Sequence, residues 1–159
     1  MVTPGRQTQG AHLFGLVPAG QVLALWPHVV AIVERFGVVP RDPGSLPGGA
    51  SPEAHAQHVR SFGDLPEGLV YHAVVMGARV FPVLGEYAAI AREYAAVVHA
   101  TRLTHPSGSE VRVAVGAICA LLPMEQGCRV VFVGGADLVV RETLAEVVAA
   151  ANRPRLVAP

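Results

Sequence analysis

The sequence predicts an α+β fold: a single small domain whose largely antiparallel sheet carries helices packed on one face, with an α/β layered fold as the alternative. Three observations lead there. The 159-residue chain is the length of one domain and should bury about 68–70% of the surface its unfolded form exposes. Val97 to Leu103 and Glu110 to Val115 read as an antiparallel pair joined through THPSGS, with Glu110 and Arg112 alternating against Val111 and Val113. Before that pair, LVYHAVVM (Leu69 to Met76) is a strand apolar on both faces, as in a sheet centre. GEYAAIAREYAAVVHA then forms a helical stripe of Tyr87, Ile90, Tyr94 and Val97 or Val98.

Taken in order, residues 1–10 form a flexible lead and 11–152 the domain. AHLFGLV is a short strand ended by the Pro18-Ala19-Gly20 turn. Pro27 suits a first helical turn. Val29, Ile32, Val33 and Phe36 follow the i, i+3, i+4, i+7 stripe, so a helix is expected up to Gly37. Residues 38–51, VVPRDPGSLPGGAS, are a Pro/Gly-rich loop. Ser51-Pro52-Glu53 announces a second helix, reaching about Phe62, through a capping hydroxyl, a first-position proline and an acidic first turn. Gly116 to Leu122 fits either a strand or a short helix. Arg129 to Val133 is a strand, and Gly134-Gly135 a sharp backbone turn. Asp137 then caps a helix whose face is Val140, Leu144, Val147 and Val148, and 153–159 is a tail. WPHVVAIVERFGVV and FPVLGEYAAIAREYAAVV share an aromatic-proline pair and a valine pair. They raise the idea of a duplicated unit, although convergence of two helix–strand units is the simpler account.

Composition narrows the function classes. Hydrophobic residues make up 52%, charged residues 15% and aromatics 6%. The core must therefore rest on Val, Ala and Leu, and disorder throughout is excluded. Twelve arginines, with no lysine, balance twelve acidic residues and are scattered along the chain. Nucleic-acid binding needs a concentrated basic face, which is missing. Zero net charge protects poorly against self-association, so a homo-oligomer or a protein partner is expected. Residues 7–33 carry no Asp, Glu or Arg and are long enough to cross a bilayer. Pro18, Gly20, Gln21, Pro27 and His28 interrupt them, so buried core elements and a cytoplasmic location are expected instead. Cys119 and Cys128 are expected as buried free thiols, with a hairpin disulfide as the alternative.

Three chemical constellations stand out against this background. Gly134-Gly135-Ala136-Asp137 lacks the third glycine and the lysine of phosphate-binding turns, and Asp137 would repel a phosphate; no nucleotide cofactor is expected. Glu53-x-His55-x-x-His58 puts two imidazoles on one helix face. With Glu53, Asp42 or Asp64 as third ligand they would hold a divalent metal and activate a water. His72 reads as a hydrogen-bonded core histidine and His105 as an exposed turn residue. Pairing His72 or His99 with Cys119 would create a thiolate nucleophile, but no local signature accompanies it, and GxSxG is absent.

From Leu69 to Ala151 the expected element order resembles the histidine-containing phosphocarrier proteins of sugar transport. PSGSEVRVAVGAICALLPMEQGCRVVF is similar in rhythm to the stretch around that family's short helix. The family's phosphorylated histidine opens its first helix, whereas GARVFPV (Gly77 to Val83) has none, so the resemblance implies no phosphocarrier activity. The leading expectation is a non-catalytic binding, regulatory or assembly module that self-associates, supported by the neutral charge and the alanine-flanked helix. The alternative is a small metal-dependent hydrolase using the two histidines and a carboxylate.

Overall fold

The computed structural model describes residues 10–40, 53, 57, 60 and 62–154. The chain begins with β1 (Ala11–Gly15), β2 (Gln21–Leu25), a 3-10 turn at Trp26–His28 and β3 (Val29–Val38). It continues with β4 (Val70–Met76), β5 (Arg79–Val83) and helix α1 (Tyr87–Val97). Next come β6 (Ala100–Thr104), β7 (Glu110–Ala114), a 3-10 turn at Val115–Ala117 and β8 (Ile118–Pro123). The described chain closes with β9 (Cys128–Phe132), β10 (Asp137–Val140) and helix α2 (Leu144–Ala151).

All ladders are antiparallel, so the α+β class holds. The strands divide into three sheets, ordered β1-β2, β5-β4-β3-β7-β6 and β10-β9-β8. The five-stranded sheet lies in the middle, and the alternating side chains of its strands feed two cores. Ile32 and Val74 join Phe14, Ala24, Trp26, Ile90 and Tyr94 under α1 and the β1–β2 ribbon. Val33, Ala73, Val75, Val111 and Val113 point the other way, against Val130, Phe132, Val140 and Val147 of the third sheet and α2. The two helices therefore cover opposite faces of the central sheet.

The element order is a repeat: ribbon, 3-10 turn, three-stranded meander, helix, and then the same again. From β1 to the start of β3 the second unit follows at a constant offset, Ala11 matching Ala100, Leu25 matching Ala114 and Val29 matching Ile118. Individual hydrogen bonds repeat too. Trp26 N donates to Gly10 O and Val115 N to His99 O, while Leu84 N donates to Gly15 O and Arg141 N to Thr104 O. Both meanders carry a register shift at the same place, between Val29 and Ala31 and between Ile118 and Ala120. The equivalent pairs Phe14/Leu103, Ala24/Val113, Val74/Val130, Val83/Val140 and Ile90/Val147 are buried, each in its own unit's core. Residues 39–69, between β3 and β4, have only Met124–Gly127 as their counterpart.

Several expectations change. The segment from Pro27 to Phe36 is a 3-10 turn and a strand, because Val29–Val33 are buried on both faces of the central sheet. The duplication is not the one suggested by WPHVVAIVERFGVV and FPVLGEYAAIAREYAAVV, since the first becomes a turn and β3 while the second becomes β5 and α1. Asp137 opens strand β10 instead of capping a helix. Helix α2 starts later, where Thr143 Oγ1 accepts from Glu146 N and the Glu146 carboxylate in turn accepts from Thr143 N. β5, β8 and β10 add three strands to the phosphocarrier-like order. Gly116–Leu122 contains both a 3-10 turn and a strand. Of the loop expected at 38–51, Val38 instead closes β3, while residues 41–51 and most of the helix expected up to Phe62 lie outside the described residues. Glu53, Gln57 and Arg60 are helical and exposed. No helix among the described residues is long and apolar enough to cross a membrane.

Candidate functional site

The densest polar constellation spans one end of the central sheet, on the α1 side. β3 leaves its register with β7 after Val33 opposite Val111. The Glu34 carboxylate then replaces the missing backbone acceptor, taking the Glu110 N–H at 3.0 Å. Glu110 itself receives Arg112 Nε at 2.9 Å and Arg102 Nε at 2.7 Å. Burial pushes the Glu110 carboxyl up, but the Arg112 hydrogen bond and the charges of Arg112 and Arg102 outweigh it and hold it below the ordinary carboxylate value. Tyr87, the first residue of α1, turns its buried hydroxyl into this cluster, beside the Glu110 carboxylate. Burial first, and the neighbouring Glu110 charge second, drive its phenol far above its ordinary value.

His72 completes the row. Its Nδ1 meets Glu34 O and its Nε2 meets Gly85 O at 2.8 Å, so both ring nitrogens face backbone carbonyls. A cleft of about 440 Å³ opens beside it, lined by Glu34, Arg35, His72, Tyr87, Ser107 and Ser109. Ser107 lies against His105 in the β6–β7 turn, its Oγ 2.8 Å from the imidazole Nδ1. The same Nδ1 also accepts the Ser107 backbone N–H at 3.2 Å. That is how a side chain closes a turn, and it commits the acceptor a nucleophilic serine would need. The cleft thus offers a hydroxyl-rich wall, whereas its Glu34 carboxylate and His72 imidazole are engaged by the fold.

The helices are tied to their ribbons at equivalent positions. His12 Nδ1 meets Glu93 Oε2 at 2.9 Å and Trp26 Nε1 donates to Glu93 Oε1 at 3.3 Å. In the second unit Thr101 takes the place of His12 and donates to Ala150 O at 3.3 Å. Tyr94 Oη donates to Val29 O at 2.6 Å, and burial keeps that phenol protonated. These polar groups hold layers together.

The residues singled out by sequence scatter. His55, His58 and Asp42 lie outside the described residues; Glu53 is exposed on helical backbone and Asp64 exposed in a turn. Among the described residues no three His, Cys, Asp or Glu side chains are grouped to hold a metal. Cys119 and Cys128 are free, but only Cys128 is buried; Cys119 falls in the register shift between Ile118 and Ala120, which breaks the alternation of β8. Cys119 is on β8, in a different sheet from His72. Gly134 and Gly135 both have φ near +104° in the β9–β10 turn. A Cβ on Gly134 would stand 3.1 Å from the Gly77 backbone, so the paired glycines let two equivalent turns pack together. Asp137 faces Arg129 at 3.6 Å.

A second kind of site lies on the outer sheets. β2 and β8 each have one unpaired edge among the described residues. Beside β2 the ribbon exposes Leu13 and Leu23 at 58% each and Leu25 at 45%, and β8 exposes Leu122 at 49%. The register puts Leu13 directly opposite Leu23 and Leu25 opposite Ala11, so they form one apolar face. The alternation that would reveal this face is legible in AHLFG and QVLAL, although its side could not be assigned without the core. No family model matches the chain, and comparison with curated proteins and with solved structures finds no match.

Proposed function

We propose that this protein is a non-catalytic assembly module that associates with further copies of itself through the open edges of its outer sheets. The observation that carries this reading is the coincidence of an unpaired strand edge with exposed leucines on β2 and again on β8. Open edges template strand addition, and contiguous apolar surface at such an edge marks an interaction site. The neutral net charge opposes association weakly. The engagement of Glu110, His72 and His105 in structural bonds supports a non-catalytic role.

Sedimentation velocity over a series from micromolar to millimolar protein tests the reading. The weight-average sedimentation coefficient should rise with concentration, and Leu13→Glu/Leu23→Glu should suppress the rise. A monomer throughout would refute it. Stoichiometric zinc in chelator-free protein, lost in His55→Ala and His58→Ala, would favour the hydrolase instead.

A further inference from the structure

The internal repeat says which sheet edges are natural ends and which are unfinished. β1 and its counterpart β6 both end a sheet, as do β5 and its counterpart β10. β3 and β7 differ: they pair with each other and so join the two units, whereas their counterparts β8 and β2 each keep one open edge among the described residues, in outer sheets on opposite faces of the central one. We infer that copies of this chain join head to tail, β8 of one adding to β2 of the next in the antiparallel register that β3 and β7 use inside the chain. This rests on the self-association proposed above and specifies its geometry.

Side chains at the two ends agree with the joint they would form. On the outer face of the first meander, Val30, Ala31 and Val33 are buried because the second unit covers them. The equivalent Cys119, Ala120 and Leu122 keep this small apolar character yet are exposed. At the other end, Ala114 of β7 is buried under α1 while its counterpart Leu25 is exposed. Inside the chain the joint pairs Ala31 with Val113, Ile32 with Arg112 and Val33 with Val111. Carried over by equivalence, the register sets Ala120 opposite Ala24, Leu121 opposite Leu23 and Leu122 opposite Val22. Every cross-strand pair is apolar and none opposes like charges, which is what strand pairing needs. The Ile32–Arg112 position even becomes a leucine pair.

Such an interface is heterologous, since the two surfaces that meet are different. That gives a test no self-complementary contact can pass. Leu23→Lys blocks the head and Leu122→Lys blocks the tail, and both positions are exposed, so circular dichroism and melting should remain those of the unmodified chain. Each variant alone should sediment as a monomer at concentrations where the unmodified chain associates. An equimolar mixture should recover a dimer and stop there, because only one good head and one good tail remain. A second experiment fixes the register: Leu23→Cys and Leu121→Cys, each with Cys119→Ser, should form a disulfide when mixed under oxidation and remain largely uncrosslinked separately. Paired strand positions lie within disulfide reach. If the unmodified chain associates but either blocked variant alone associates equally well, or Leu23→Cys crosslinks to itself, head-to-tail pairing is overturned while self-association stands. If the unmodified chain stays monomeric, both fall.

Discussion

Replacing Gly127 by alanine separates the cost of a backbone conformation from the cost of a collision. Gly127 sits in the β8–β9 turn with φ +95°, and a Cβ there would lie 2.0 Å from Val140 O. Gly135 has a similar φ of +104°, but its Cβ would meet nothing nearer than Ala78 Cβ at 3.9 Å. Both substitutions incur the strain of a side chain at positive φ, about 1–3 kcal/mol. Only Gly127→Ala must also push the end of β10 away, adding roughly 1–3 kcal/mol as overpacking does. In a domain of this size each kcal/mol lowers Tm by about 2–4 °C. Gly127→Ala should therefore melt about 4–24 °C below the parent chain and clearly below Gly135→Ala. Gly116→Ala, where no atom lies within 4 Å of the new Cβ, should stay within about 0.5 kcal/mol, as surface substitutions do. Melting curves by circular dichroism decide the matter. Equal melting temperatures for Gly127→Ala and Gly135→Ala would refute the packing of this turn against Val140.

Two further outcomes follow from the polar and thiol groups. The Glu110 carboxyl is held below its ordinary value of 4.5, so its stabilising contribution is complete above that pH and fades as acid carries the protein down through the depressed value. Thermal melts from pH 7 to pH 3 should accordingly fall less steeply for Glu110→Gln than for the parent, and parallel profiles would remove the carboxylate from the account. Native alkylation should modify Cys119 alone, because Cys128 is buried and burial raises its thiol pKa; equal labelling would contradict the packing of β9.

Local signals made some elements readable. The β6–β7 hairpin announced itself through THPSGS and the alternation around Arg112, and α1 through the spacing of Tyr87, Ile90 and Tyr94. Val29–Val33 misled because an unbroken apolar run satisfies helix and strand periods alike when both faces are buried. β5 was hidden by Pro82, which an edge strand tolerates, and β10 by an aspartate that resembles a helix cap. The repeat eluded sequence reading because equivalent positions preserve size and burial more than identity, and residues 39–69 break the period. The cluster around Glu110 was illegible for another reason: Glu34, His72, Arg102 and Tyr87 come from separate elements, and only the sheet order brings them together. The exposed leucines were visible as letters, but burial alone distinguishes a surface face from a core one.

The ladder between β3 and β7 has a consequence for how the molecule comes together. Every other ladder closes inside one unit, and those of β1–β2, β4–β5, β6–β7, β8–β9 and β9–β10 join neighbours along the chain. Such hairpins form on local contacts, whereas uniting the halves waits on a distant encounter, the slower kind of event. A backbone nick near Val98, between α1 and β6, would leave each fragment with its own ribbon, meander and helix and with the complementary edge still intact. Fragments divided at that point should therefore reassemble through this one seam when mixed.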